Sequence, residues 1–197
     1  MRNLVSATIV ILMLSSAGAL SQINIRPDPT PRLPPQAGQG LPLEDRQFIS
    51  RAFNLSEAEI EAGRLAADKT ESTGIRDFGQ RLVTEHEKLR QAVQQLAQTN
   101  GITVEPHTSR SWWQEELRRI GSLKGQEFDR EYMSWQLRTH LALVNLYQTE
   151  ASHSPELDLS KFAITTLVEI QRLFDQAKRL GAEYGVAIDT IKQPPQY

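Results

Sequence analysis

The chain has 197 residues with a formal net charge of −2 at pH 7, and it contains no cysteine. The lack of cysteine excludes disulfides, a cysteine nucleophile and the lipid-bearing cysteine of a lipoprotein, so the core alone must hold the fold. The charge balance gives no basic field for nucleic acid. No phosphate-binding glycine loop and no Gly-x-Ser-x-Gly elbow occurs in the sequence.

The first 21 residues have the pattern of a secretory signal peptide. Arg2 provides a positive start, an apolar run covers residues 4–14, and small residues follow. This pattern is typical of a segment that is removed after export, and we expect cleavage after Ala19 or Ser21. An uncleaved anchor is the less favoured alternative, because a transmembrane helix needs about 20 apolar residues. We therefore expect a periplasmic or secreted protein without a transmembrane span after cleavage.

A proline-rich segment follows at residues 22–43. Proline lacks the amide donor and clashes with the preceding helical turn, so this segment is predicted to be an extended, disordered tether. It serves either as a spacer that holds the domain off a surface or as a leader without a partner. The composition changes to helix formers at Glu44. One domain is predicted over residues 44–182, followed by a C-terminal tail at 183–197.

Four long amphipathic helices are predicted in this domain, because apolar residues recur at three- and four-residue steps. A short amphipathic helix is predicted after Pro106, between the second and third long helices. The long helices cover about residues 44–71, 73–99, 126–152 and 154–180. No alternating strand pattern is present. The predicted fold class is therefore all-α, an up-down four-helix bundle with a short extra helix.

Local signals predict where the helices begin, end and cross. Ser72 or Thr73 is a candidate cap for the second helix, and Asn100 and Gly101 suit a left-handed end of that helix. Ser154 and Pro155 predict the start of the last long helix, since proline fits the first helical turn. Gly63 lies in the middle of the first helix, where glycine costs about 1 kcal/mol relative to alanine. We therefore expect a close helix crossing at Gly63.

Three polar residues fall within the apolar stripes of three different helices. Glu59 lies in the first helix, His86 in the second and His140 in the third long helix. Imidazole and carboxylate groups that converge inside a bundle can bind zinc or copper. These three residues are therefore candidate metal ligands, with Glu85 beside them. The alternative, commoner for buried histidines, is a core residue bonded to a local carbonyl, tyrosine or carboxylate.

A di-iron carboxylate site is not predicted. Such bundles carry a Glu-x-x-His pair on each of two helices. Val83 stands three residues before His86, and Leu137 stands three residues before His140. The spacing occurs only at Glu150 and His153, which we predict to be an exposed pair at a helix end.

Three segments are informative in combination. They are residues 59–66, the stretch from Phe78 to Glu85 and His86, and residues 128–132 leading to His140. Together they resemble the exported bacterial domain-of-unknown-function family 4142, over about residues 44–180. The resemblance implies a ferritin-like fold and an exported protein. Members are often described as outer-membrane proteins and have no established activity.

The chain departs from the family pattern at three places. Relatives commonly have Asp-His in the second helix, where this chain has Glu85 and His86, and an acidic residue where this chain has Thr139. The last helix of relatives usually carries Leu-Pro-x-Leu-x-x-His, and the matching run at residues 167–173 ends in Leu173. A leucine side chain has no donor atom for a metal. If the three histidines of relatives form a site, one ligand is missing here.

Two functions are compatible with these observations. The leading hypothesis is a non-enzymatic cell-envelope bundle that binds a partner protein or has a structural role, without a cofactor and without nucleic acid. The alternative is a metal-binding, ferritin-like protein linked to metal or oxidative stress. In that case a divalent metal ion is expected at Glu59, His86 and His140.

Overall fold

The computed structural model describes residues 40–105 and 112–191. The predicted signal peptide and residues 22–39 of the predicted tether lie outside this part of the chain. Within it, five helices are followed by a 3-10 turn at Ile188–Thr190: α1 Leu43–Lys69, α2 Thr73–Thr99, α3 Trp112–Gly121, α4 Gly125–His153 and α5 Leu157–Glu183. These described ranges contain no strand. The predicted all-α bundle of four long helices with one short extra helix is confirmed.

The long helices form two antiparallel hairpins, α1 with α2 and α4 with α5, which lie side by side. At one end, Thr70 after α1 donates a hydrogen bond of 2.5 Å to Asp129 near the start of α4. At the other end, Ser154 after α4 donates one of 3.1 Å to Asp45 near the start of α1. Helices α1 and α4 are therefore antiparallel.

It follows that α2 and α4 run in the same direction, so the predicted up-down alternation holds within each hairpin but not between the second and third long helices. The connection between them must return along the length of the bundle, and α3 belongs to this connection. Ile102 and Val104 pack at the end where α2 finishes, whereas Trp113 and Leu117 of α3 pack at the end where α4 begins.

The predicted ends of α2 are confirmed. The Ser72 hydroxyl accepts a hydrogen bond from the backbone N–H of Ile75, and it caps the helix. Gly101 has a φ of +67°, which glycine adopts without strain. The N–H of Ile102 then donates to the carbonyl of Ala97 at 2.9 Å, so the carbonyls of the last turn have partners.

The predicted start of the last helix is wrong by about three residues. Helix α5 begins at Leu157, and Pro155 lies in the turn before it. Ser154 instead ends α4, because its backbone N–H donates to the carbonyl of Glu150. Its hydroxyl then accepts a hydrogen bond of 3.2 Å from the N–H of Glu156, which shapes the turn.

The close crossing predicted at Gly63 is confirmed. A Cβ atom on Gly63 would lie 2.5 Å from the Gly79 carbonyl oxygen and 2.8 Å from a methyl of Val83, distances that real Cβ atoms do not show. Helices α1 and α2 can therefore approach only with glycine at this position. Glu59 lies one turn before the crossing on α1, so the crossing holds this carboxylate close to α2.

The hydrophobic core consists of two clusters, one toward each end of the bundle. The cluster beside α3 is built around Phe78, Phe128, Tyr132 and Trp135. The other is built around Phe48, Ile49, Leu143 and Tyr147. Polar residues of α1, α2 and α4 are buried between the two clusters. Among the described residues, no helix is both long and apolar enough to cross a membrane.

Candidate metal site

The polar residues between the two apolar clusters come from three helices. Glu59 of α1 and His140 of α4 are fully buried, and His86 of α2 is 1% exposed. Each replaces an apolar residue in the inward-facing stripe of its helix, which is why the fold brings all three inside. The predicted convergence of these three residues is therefore observed. We refer to Glu59, His86 and His140 as the triad.

The donor atoms of the triad are close together. One ligand atom from each residue lies within 4.8 Å of those of the other two. The imidazole rings of His86 and His140 are edge to face, with centroids 6.1 Å apart and planes at 87°. Nδ1 of His140 lies 3.8 Å from a carboxylate oxygen of Glu59. Donors bound to one tetrahedral ion are about 3.3–3.5 Å apart, so the three ligand atoms would have to move closer together to share one ion.

One ring nitrogen of His140 has a fixed role. Nδ1 lies 3.0 Å from the backbone carbonyl oxygen of Gln136, and a carbonyl can only accept a hydrogen bond. Nδ1 therefore carries the proton and donates it, and Nε2 keeps its lone pair. Metal-bound histidines are oriented in the same way, by donating the other ring N–H to a carbonyl or carboxylate.

The rest of the triad lacks hydrogen-bond partners. Five buried atoms have none within the described part of the chain: both carboxylate oxygens of Glu59, both ring nitrogens of His86, and Nε2 of His140. The alternative to a metal site is that each buried histidine is a core residue with a local hydrogen-bond partner. Within the triad, only Nδ1 of His140 has such a partner. Leaving a buried polar group unpaired costs about 1–3 kcal/mol. The triad is therefore unfavourable for folding in its empty state.

Burial controls the protonation of the triad. Loss of hydration raises the pKa of Glu59 to about 8, and the nearby amide of Gln136 offsets only a small part of this rise. Burial lowers the pKa of His86 to about 3, with a further contribution from His140. It lowers the pKa of His140 to about 4, opposed by the hydrogen bond to Gln136. At pH 7 both imidazoles are thus neutral, which is the form that binds metals.

Residues around the triad close it from one side. The Gln136 side-chain amide donates a hydrogen bond of 3.1 Å to the Tyr132 hydroxyl, and both residues are fully buried. Burial, followed by the charge of Glu59, raises the pKa of Tyr132 well above its usual value, so the hydroxyl stays protonated. Phe78 packs near the His140 ring with centroids 6.1 Å apart.

Two other predicted residues lie apart from the triad. Glu85 is half-buried, pairs with Lys88 at 3.1 Å and is not among the grouped ligand atoms. The prediction that Glu150 and His153 form an exposed pair is half correct. His153 is exposed and bonds to the Thr149 carbonyl, whereas Glu150 is buried.

Glu150 belongs to a second polar cluster that the sequence analysis missed. Buried Asp45, Glu150 and Ser154 meet at the end of the bundle where α1 begins. Burial raises the pKa of Glu150 to about 8, with a further increase from Asp45 and a decrease from Ser154. Burial likewise raises the pKa of Asp45. In the sequence, Asp45 and Glu150 each lie next to apolar positions of their helices. This pattern does not reveal that the chain segments around residues 45 and 150 are in contact.

A cavity of about 230 Å³ lies between α2 and α5, and His86 forms part of its wall. Leu173 of α5 lines the same cavity. Apolar side chains make up most of the remaining inner wall, and charged residues lie at the rim. The lining also includes Leu89, Ala92, Phe162, Thr166 and Ile170. Neither Glu59 nor His140 lines this cavity.

The fold and the site define a class of protein: a four-helix bundle that buries two histidines and a carboxylate between two apolar cores. The chain belongs to the family described as Domain of unknown function (DUF4142), whose model matches residues 30–180. The predicted family resemblance is thereby confirmed. No curated protein and no solved structure matches this chain.

Proposed function

We propose that this protein acts by binding a divalent transition-metal ion at Glu59, His86 and His140, and that it does so after export from the cytoplasm. A single observation carries the proposal. The triad gathers three buried residues that hold unpartnered polar atoms, and one ligand atom from each lies within 4.8 Å of the other two. Such an arrangement weakens the empty fold, and a metal ion would satisfy all three groups at once.

The donor set indicates which ions fit. Two neutral imidazoles and one carboxylate are borderline ligands, suited to zinc, copper, nickel or iron rather than to magnesium or calcium. Three protein ligands leave one position of a tetrahedral ion for water or another small molecule. The hydrogen bond from His140 to the Gln136 carbonyl supplies the outer-shell orientation that metal-bound histidines need.

Equilibrium dialysis with metal analysis tests the proposal. We expect about one Zn²⁺ per chain, and a loss of affinity of at least about a hundredfold in His86→Ala and in His140→Ala, since even outer-shell changes cost 10–100-fold. His153→Ala is the matched control, because His153 is exposed on the same helix as His140. Stoichiometric binding that persists in both triad variants would remove these residues from the proposal.

A role in binding without catalysis is supported by the absence from the sequence of a recognisable nucleophilic motif. The expectation is that the metal-loaded protein turns over no substrate. Turnover by purified protein that loses activity in His86→Ala would replace this part of the proposal with an enzymatic one.

Export is supported by the signal-peptide pattern of residues 1–21. When the full chain is expressed in a bacterium, we expect the protein in the periplasm or medium. Sequencing of its N-terminus should give a mature chain that begins at residue 20 or 22. A cytoplasmic protein that retains Met1 would contradict export and leave the metal site untouched.

A further inference from the structure

The cavity between α2 and α5 is connected to only one member of the triad. His86 lines it, while Glu59 and His140 are enclosed by other side chains. Both ring nitrogens of His86 lack partners, and the residue is 1% exposed. The cavity therefore reaches from the surface to an unpartnered, buried imidazole.

The cavity wall is apolar inside and charged at its rim. Leu89, Phe162, Ile170 and Leu173 give it an apolar interior. The charged groups at its rim are already paired. Lys88 pairs with Glu85 at 3.1 Å, and Glu169 pairs with Arg81 at 2.8 Å and with Arg172 at 3.2 Å.

A charged molecule would find no free counter-ion among these rim residues, and it would lose its hydration in the interior. A small neutral molecule with an apolar body suits such a wall. The cavity volume of about 230 Å³ is sufficient for a five-membered ring.

We infer that this cavity is the binding site for a small, neutral molecule with one donor atom, which enters between α2 and α5 and completes the coordination of the metal. The inference rests on the proposed function, and it specifies which kind of molecule occupies the coordination position of the metal that the three protein ligands leave open. Leu173 faces the cavity without a donor atom, and the inferred fourth ligand therefore comes from outside the chain.

Imidazole is a suitable probe, because it is small, largely neutral above pH 7 and a good ligand for transition metals. The protein is loaded with Co²⁺, whose visible absorption reports its coordination, and imidazole is added at pH 8. We expect a saturable change in the visible spectrum at one imidazole per metal ion.

Thr166→Phe tests whether the ligand arrives through the cavity. Thr166 lines the cavity on α5, and a phenyl ring there should fill it. We expect at least a tenfold weaker imidazole response with unchanged Co²⁺ stoichiometry. Thr165→Phe is the matched control, since Thr165 is exposed on the neighbouring position of the same helix and does not line the cavity. If Thr166→Phe lowers the helical circular dichroism, Ala92→Phe on the opposite wall replaces it.

The outcomes separate the two proposals. Absence of Co²⁺ binding by the wild type overturns the proposed function and this inference together. Normal Co²⁺ binding without an imidazole response overturns the inference alone. An imidazole response that is equally strong in Thr166→Phe, Ala92→Phe and Thr165→Phe also overturns it, because the ligand would then reach the metal by another route.

Discussion

The imidazole ring of His86 meets that of His140 edge to face, with centroids 6.1 Å apart, between the two apolar clusters of the bundle. The two rings come from different hairpins, α1/α2 and α4/α5. Burial keeps both neutral at pH 7, because it lowers the pKa of each well below its usual value. Two neutral rings at this distance do not repel each other, and they remain available as metal ligands.

Metal affinity is expected to rise with pH between about 6 and 8. The ion needs Glu59 as a carboxylate, whereas burial raises the pKa of this group to about 8 in the empty protein. Binding must therefore release about one proton, and affinity should increase about tenfold per pH unit below pH 8. Isothermal titration with Zn²⁺ in two buffers of different ionisation heat measures the released proton.

Glu59→Gln is the control for this dependence. It removes the titrating group, so the remaining weak binding should be nearly independent of pH over the same range. Glu61→Gln changes an exposed glutamate on the same helix and should retain the wild-type slope. A slope that is unchanged in Glu59→Gln would show that the proton comes from another group.

The metal-free protein is expected to be most stable between about pH 4.5 and 6.5. Glu59 and Glu150 have pKa values raised to about 8, so their stabilising contribution is present below their unfolded value of about 4.5 and is lost as pH rises to 8. His86 and His140 have lowered pKa values of about 3 and 4, so their contribution is present above about 6.5 and is lost as pH falls. Between the unfolded-state pKa values of about 4.5 for glutamate and 6.5 for histidine, the opposing effects on the free energy of unfolding roughly cancel.

Urea unfolding of the metal-free protein at a series of pH values measures this profile. Glu150→Gln should reduce the loss of stability between pH 6.5 and 8, since the amide cannot ionise. A wild type that becomes more stable over this range would contradict the protonated state of both glutamates.

Gly63→Ala is expected to destabilise the bundle by about 1–3 kcal/mol, the usual cost of overpacking a core. The added methyl would meet the Gly79 carbonyl oxygen at 2.5 Å, and a backbone atom cannot move aside cheaply. Gly74→Ala is the matched control, because its methyl would meet the flexible end of Leu180 at 3.2 Å and the Ser72 hydroxyl at an ordinary 3.9 Å. Equal midpoints of thermal unfolding for the two variants would disprove the close crossing.

Leu173→His is expected to strengthen zinc binding at least tenfold. Leu173 lines the same cavity as His86, so an imidazole there is placed to occupy the open coordination position. The same variant should lose the spectral response of the cobalt protein to imidazole. Leu173→Met, which preserves the volume more closely, should change zinc affinity little. Binding that is no tighter in Leu173→His would mean that residue 173 is too far from the metal.

The helices and the triad could be predicted from the sequence because both depend on helical periodicity. Glu59, His86 and His140 each continue a three- and four-residue spacing of apolar residues, and such spacing places a side chain on the inward face. The cap at Ser72 and the glycine ends follow from local chemistry in the same way.

Features that depend on contacts between distant segments could not be predicted. Glu150 is buried where it meets Asp45 and Ser154, which lie far from it or in the next turn. The direction of α4 relative to α2 is visible only from the hydrogen bond between Thr70 and Asp129, two segments that are distant in sequence. The cavity depends on the spacing of α2 and α5, which no periodicity reveals. The early start predicted for α5 failed because Ser154 completes α4 instead of beginning the next helix.

The side-by-side docking of two hairpins has a consequence for assembly. Each hairpin is linked by a three-residue turn and forms most of its helix contacts within itself, whereas Glu59 and His86 lie on one hairpin and His140 on the other. An ion bound by all three residues would therefore cross-link the two hairpins. Mechanical or thermal separation of the two hairpins would then have to break coordination bonds. In the metal-free protein, the interface between the hairpins would separate before either hairpin unfolds.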